Sequence, residues 1–280
     1  MKSAFLFPGQ GSQRQGMGSN ALPLFPELTA QADEILGYSI VELCLGEADE
    51  RLGQTQFTQP ALYVACALEY LAATDNGESP PDYAAGHSVG EYAALFAAGA
   101  FGFDDGLRLV AKRGEVMSKV EGGAMAAVIG LDAEAVRYAM GAAGQDDVDL
   151  VNFNSPAQFV ISGPASSVPK LEGPLKEAGA RHFVILNVSG AFHSRYMRKP
   201  SEEFAAFAKD FTFAAPSFPV VANVEAAPYA EDNVAELLVR QIRNPVLWSD
   251  SVQYLRKQGE IEFREIGPGN VLTKLLRQIP

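Results

Sequence analysis

Residues 83–99, YAAGHSVGEYAALFAAG, constrain this chain more than any other stretch. A small apolar run-up ends at Gly86, Ser88 stands between Gly86 and Gly90, and an alanine-rich segment continues to Gly99. The pattern places Ser88 where a strand turns sharply into a helix, at a corner where only small neighbours fit. A G-x-S-x-G corner of this kind is a candidate nucleophile elbow.

The rest of the chain supplies a frame for that corner. Residues 3–7 (SAFLF) read as a buried strand feeding the glycine-rich loop PGQGSQ, segments 24–36 and 59–73 have helical apolar spacing, and 83–87 returns to the strand pattern. A helix is predicted over 103–120, with Asp104 or Asp105 near its start, where a carboxylate favours the helix dipole. Strands alternating with helices predict a parallel sheet under helices. From Gly122 the order changes to strand 124–131, helix 132–144, strands 148–153 and 158–163, helix 165–179 and strand 181–188. That β-α-β-β-α-β order is the split βαβ unit of ferredoxin-like domains. Gly173-Pro174 is expected to kink or break the second of these helices. After residue 189 come helix 197–209, strand 219–224, helices 230–242 and 247–257, and strand 262–267. The expected fold class is α/β. Residues 1–122 and 190–280 form an α/β-hydrolase-like large subdomain with a parallel sheet and the elbow, and 123–189 an inserted ferredoxin-like small subdomain.

Composition removes several functions. The net charge of −12 and pI near 4.8 argue against nucleic-acid binding, which needs clustered positive charge. The N-terminal MKSAFLFPGQG is too short in apolar residues for a secretory signal. The longest apolar stretch, 61–73, is interrupted by Glu69 and falls short of the roughly 20 residues that cross a bilayer. Cys44 and Cys66 lack partners at metal-ligand spacing and read as reduced, buried thiols. A cytoplasmic protein without membrane contact is expected.

A serine hydroxyl is a poor nucleophile unless a base lies within hydrogen-bond reach. The chain has three histidines. His87 adjoins Ser88, and on a strand its side chain points to the opposite face, so it is read as an elbow-supporting residue. His182 opens a strand and is expected to be exposed or structural. His193, in VSGAFHSRYM, lies on a loop at a strand end and is the candidate base. The N–H of Val89 follows the serine as an oxyanion donor should, and the N–H of Gln10 in PGQGSQ is a second candidate.

Nine blocks carry a resemblance along the whole chain: FPGQGSQ (7–13), TQPAL (58–62), GHSVGEY (86–92), RGEVM (113–117), GAMAAVIGL (123–131), VNFNSPAQFVISG (151–163), GAFHS (190–194), RQIRNPVLW (240–248) and EIGPGNVL (265–272). Their order resembles the malonyl-CoA:acyl-carrier-protein transacylase family, and the wording is especially similar to free-standing acyltransferases that serve polyketide synthases in trans. The resemblance implies Ser88 as acyl-carrying nucleophile and His193 as its base, with the backbone carbonyl of Gln241 orienting the imidazole. It implies an oxyanion hole at the amides of Gln10 and Val89, and Arg113 gripping the free carboxylate of malonate. A planar guanidinium suits that task, since it bonds a carboxylate in bidentate fashion. Gln59 and Asn154 correspond to polar positions near the pocket, and Phe192 is expected to narrow the space beside the malonyl α-carbon.

The implied reaction is ping-pong transfer of a malonyl group from malonyl-CoA to the phosphopantetheine thiol of an acyl carrier protein, in polyketide or fatty acid biosynthesis. No metal and no cofactor are implied, the phosphopantetheine belonging to the partner. Val89 and GAFH (190–193) are closer to malonyl-type than to methylmalonyl-type signatures, although Gly190 departs from the histidine of the malonyl-type His-Ala-Phe-His. Arg195, Arg198 and Lys199 are candidates for a positive rim facing the carrier or the coenzyme A phosphates. Two alternatives are an acyl hydrolase acting on carrier proteins and a non-catalytic carrier-docking subunit. Arg113 argues against the first, and intact Ser88, His193 and Gln10 against the second.

Overall fold

A computed structural model describes the chain from Met1 to Pro280. Its strands fall into two sheets. β1 (Lys2–Phe7) and β2 (Tyr83–Gly86) run parallel, in register from Ala4 opposite Tyr83 to Phe7 opposite Gly86. Four strands then form an antiparallel sheet of their own: β3 (Gly123–Ile129), β4 (Asp149–Ser155), β5 (Gln158–Pro164) and β6 (His182–Ile185). The chain returns to the first sheet with β7 (Val220–Ala222), β8 (Ala227–Pro228) and β9 (Ile261–Glu265), giving the order β8-β7-β2-β1-β9. All pairs in that sheet are parallel except β7 with β8.

Side-chain alternation between two buried faces explains why β1 from Ala4 onward, and β2, are apolar. Phe5, Phe7 and Ala84 join the large core on one face, while Ala4, Leu6 and Ala85 join a second cluster with Trp248 and Leu255 on the other. A parallel sheet covered by helices on both faces has no solvated side to alternate towards. The large core is filled chiefly by helix Thr55–Asp75, helix Gly90–Ala97 and helix Phe103–Ser118.

The antiparallel sheet has the order β4-β5-β3-β6. Taken in order of appearance its strands lie 2-3-1-4, the arrangement expected of a split βαβ unit. Ala126, Val128, Phe159 and Ile161 pack under helix Ala133–Ala142, whereas Met125 and Val160, on the opposite face, join the large core. The small sheet thus turns one face towards its own helices and the other towards the elbow. Backbone bonds from Phe153 N–H to Val246 O (2.9 Å) and from Val246 N–H to Val151 O (2.8 Å) tie β4 to the large sheet's side of the molecule.

The predicted helix 165–179 is a correction. A 3₁₀ turn, Val168–Leu171, precedes a six-residue helix, Glu172–Glu177, so the break falls before Gly173-Pro174 rather than at it. Pro174 sits in the new helix's first turn, where a missing N–H costs nothing. Short helices Ile40–Leu45 and Val271–Leu276, absent from the sequence reading, are too brief to show periodicity. No helix is long and apolar enough to cross a membrane.

Candidate active site

β2 ends at Gly86, and Ser88 takes a left-handed conformation with φ of 54° before the helix begins at Gly90. A methyl group at Gly86 would lie 2.0 Å from the carbonyl carbon of Gly90, and one at Gly90 would lie 2.1 Å from the oxygen of Phe7. That contact is why the corner tolerates only glycine at those positions. Left-handed backbone at a serine costs about 1–3 kcal/mol and persists only where surrounding bonds hold it. Here the Ser88 N–H donates to Asn223 Oδ1 (2.7 Å), and its carbonyl accepts from Gln241 Nε2 (2.8 Å).

The glycine-rich loop after β1 lies directly on the elbow, since a methyl group at Gly9 would meet His87 O at 2.3 Å. Backbone N–H groups of Gln10 and Val89 donate to no group in the chain. One uncommitted amide therefore follows Ser88 in the chain, and the other belongs to a residue that lines the same cavity as Ser88.

His193, buried and also left-handed at φ of 60°, places Nε2 2.8 Å from Ser88 Oγ. Its Nδ1 stands 2.8 Å from the carbonyl oxygen of Gln241. A carbonyl only accepts, so Nδ1 carries the proton and Nε2 presents a lone pair to the serine hydroxyl. Burial, and next the Arg113 charge, push the imidazole down to about 3. It is a neutral acceptor throughout the physiological range.

Arg113 is wholly buried, and its fork is satisfied by neutral oxygens. Nη1 donates to Gln59 Oε1 (2.6 Å), and Nη2 to Gln241 Oε1 (2.8 Å) and Ser88 Oγ (3.1 Å). Nε has no partner, and no carboxylate lies within ion-pair distance. Burial depresses the guanidinium's proton affinity, with Tyr92 and Glu91 opposing. The guanidinium also lies over the Tyr92 ring at 5.8 Å, and two of its partners, Gln59 and Ser88, line the cavity described next, so the positive charge stands one hydrogen bond behind that wall.

A cavity of about 70 Å³ opens over the hydroxyl, between Gln10, Gln59, His87, Asn152, Phe192 and His193. Met125, Leu186 and Val188 from the small sheet's side close it. The Phe192 ring leans on Gly190, where a methyl group would come within 2.8 Å of Cε1. A side chain at that position would require the Phe192 ring to shift from where it lies here.

The structure thus brings Ser88, His193, Arg113, Gln241, Gln59, Gln10, Val89 and Phe192 together. It does not bring Asn154 to the cavity: its Oδ1 accepts from His87 Nε2–H (2.8 Å), behind the elbow, and Asn152 lines the cavity instead. The Asn152 Oδ1 is buried without a partner. The two asparagines alternate along one strand, so the same block held both. His87, packed on Trp248 at 5.6 Å, supports the elbow yet also reaches the cavity wall, and His182 is exposed. Glu91, Asn223 and Tyr229 went unassigned in the sequence. Glu91 Oε1 accepts from Asn223 N–H (3.1 Å) and from the Tyr229 hydroxyl, while Oε2 accepts from Gln241 Nε2.

The acyl transferase domain family matches residues 4–279. This chain belongs to that family. Among its relatives, the polyketide biosynthesis malonyl CoA-acyl carrier protein transacylase PksC of Bacillus subtilis is 53% identical over 98% of this chain and 96% of its own length. The polyketide biosynthesis protein ThaF of Burkholderia thailandensis is 51% identical over 99% of this chain, which spans only 24% of ThaF. A crystal structure of the malonyl CoA-acyl carrier protein transacylase of Burkholderia pseudomallei superposes with a TM-score of 0.96 at 46% identity, covering 100% of this chain and 98% of that one.

Proposed function

We propose that this acyltransferase moves a malonyl group from malonyl-CoA to the phosphopantetheine thiol of an acyl carrier protein, through an acyl-serine at Ser88. The observation that carries the reading is Arg113: a buried guanidinium without a carboxylate partner, 3.1 Å from a hydroxyl that is itself 2.8 Å from an imidazole. An acyl group bearing its own carboxylate supplies the missing anion. The hydrolase alternative has no use for that cation, because burying it unpaired is costly.

In the first half-reaction His193 Nε2 takes the Ser88 proton as Oγ attacks the thioester carbon. The Gln241 carbonyl holds the imidazole ring and accepts the Nδ1 proton's bond, stabilising the imidazolium without a carboxylate. The free amides of Gln10 and Val89 receive the tetrahedral oxyanion. His193 then returns the proton to the departing CoA thiolate. Arg113 lowers the basicity of His193 in the empty site, so a substrate carboxylate that neutralises it raises that basicity when the base is needed. The second half-reaction repeats these steps with the carrier thiol as nucleophile.

Gln59 orients Arg113, and Phe192 crowds the α-carbon, giving preference for malonyl over methylmalonyl of about 1–3 kcal/mol per methylene. PksC and ThaF favour a polyketide pathway over fatty acid biosynthesis. Two free, buried cysteines suit a reducing, cytoplasmic setting. Intact-mass measurement after incubation with malonyl-CoA tests the reading: a malonyl adduct is expected on the wild type, and none on Ser88→Ala. Rapid release of free malonate without a carrier would overturn it.

A further inference from the structure

We propose that Glu91 is a positioning residue for this transfer: its ionised carboxylate fixes the Gln241 amide, and through it holds Arg113, His193 and the Ser88 turn in the reactive arrangement. The inference rests on the acyltransferase reading above. Glu91 lies in the first turn of helix Gly90–Ala97, 1% exposed, and touches no substrate space. Everything that reaches it donates: Asn223 N–H, the Tyr229 hydroxyl and Gln241 Nε2.

Gln241 is the junction. Its Oε1 accepts from Arg113, its Nε2 donates to Ser88 O and to Glu91, and its backbone oxygen faces His193 Nδ1. An amide can be turned end for end, exchanging oxygen for NH2 with little change of shape. Arg113 only donates, so it demands the oxygen. A carboxylate only accepts, so Glu91 demands the NH2. The two charges therefore select one orientation from opposite sides. An amide at position 91 would break this logic, because its own NH2 must face either the Gln241 NH2 or the Asn223 N–H. Asn223 transmits the same constraint along a second route, since its Oδ1 receives the Ser88 N–H and its Nδ2 donates to Gly86 O (2.6 Å).

Burial pushes Glu91 up to about 7, against its bonds to Tyr229, Gln241 and Asn223 and the Arg113 charge. The charged and titratable groups facing it are Tyr92 on its own helix, Arg113 on helix Phe103–Ser118 and Tyr229 beyond β8; Glu225 lies beyond Tyr229, and His193 and then His87 lie beyond Arg113. Burial raises both tyrosines and lowers both histidines, away from neutrality. Glu91, unlike those tyrosines and histidines, changes charge near pH 7.

The test is single-turnover acylation at low malonyl-CoA between pH 5.5 and 8.5, followed by quenched intact mass, which reports groups of the free enzyme. Wild type should lose rate as pH falls through about 7. Glu91→Gln should be slower at pH 8 by roughly ten- to hundredfold, the scale of a lost bond to a charged group, and its residual rate should be level with pH. A merely structural residue would lower the rate without flattening the profile. Tyr229→Phe removes a bond to the ionised form, so its acid limb should move to higher pH, and this variant decides the matter if Glu91→Gln does not fold. A level wild-type profile, a Glu91→Gln profile still falling in acid, or an unmoved limb in Tyr229→Phe overturns the inference. Absence of any adduct on wild type at every pH would instead overturn the acyltransferase reading.

Discussion

Arg113 and Arg195 are the same side chain in opposite circumstances. Arg195 is more than half exposed, and its fork closes on Asp149, with Nε at 2.9 Å from Oδ1 and the backbone N–H at 2.9 Å from Oδ2. Arg113 is fully buried and has no carboxylate. Water screens the first and a neighbour neutralises it, so it joins β4 to the loop after His193 and offers little to a ligand. The second touches no carboxylate, the nearest being Glu91 across the Gln241 amide, and lies in a dry site, where an anion in direct contact gains most. Nearness to His193 is common to both; what singles out Arg113 for the proposed recognition role is the lack of a carboxylate in contact with its guanidinium. Arg198 resembles Arg195, paired with Glu202 at 2.9 Å, so of the proposed rim only Lys199 has no ion-pair partner.

The comparison can be broken most directly at Arg113. Arg113→Ala should slow malonyl acylation by about a thousandfold, the scale of removing one partner from a buried charge pair, read as the rate of adduct formation by intact mass. Wild-type rates in that variant would place Arg113 with Arg195. Gln59→Glu sharpens the contrast by giving the buried guanidinium the counter-ion it lacks, 2.6 Å from Nη1. It should weaken malonyl-CoA use by about ten- to hundredfold, mainly in KM, because the substrate carboxylate then meets a neutralised site.

Buried groups should also register pH in folding stability, where surface pairs do so weakly. His193 falls from 6.5 to about 3, so the unfolded chain binds a proton that the folded one rejects; its contribution is complete above 6.5 and is lost as pH falls towards 3. Glu91 rises from 4.5 to about 7, so its contribution is complete below 4.5 and is lost as pH rises through 7. Between those values the two slopes oppose. Relative to wild type, Glu91→Gln should melt at temperatures that climb with pH from 5 to 6.5, and His193→Asn at temperatures that fall. Parallel melting curves for the three proteins would remove the assigned shifts. The smallest effect is expected outside: Arg195→Ala or Arg198→Ala should change unfolding free energy by no more than about 1 kcal/mol in denaturant titration and leave malonyl acylation unchanged.

Much of this was legible in the residues because it is local. Gly86 and Gly90 announce a corner, since only a missing side chain lets two backbones come so close, and the change of strand and helix order at Gly122 marks the second sheet. Ser88, His193, Arg113 and the two amides followed from blocks whose wording resembles one family. Asn154 was the misplacement: plain strand alternation would put Asn152 and Asn154 on one face, but the register shifts between Phe153 and Ser155, and Asn154 bonds to His87 while Asn152, paired opposite Val160, lines the cavity. Glu91 stood in the quoted corner without a role, because a glutamate in a helix's first turn is ordinarily read as a dipole partner.

By itself the amino-acid order determined where backbone must turn, which faces are apolar, and which groups can donate, accept or attack. Tertiary structure decided how those groups are paired. The bonds joining Gln241 to Arg113, Gln241 to Glu91 and Asn223 to Glu91 span 128, 150 and 132 residues, far beyond any helix or strand period. Whether a buried charge finds a carboxylate or an amide depends on which distant segments meet there, and that depends on the strand order of the sheet and its packed helices rather than on any neighbour along the chain.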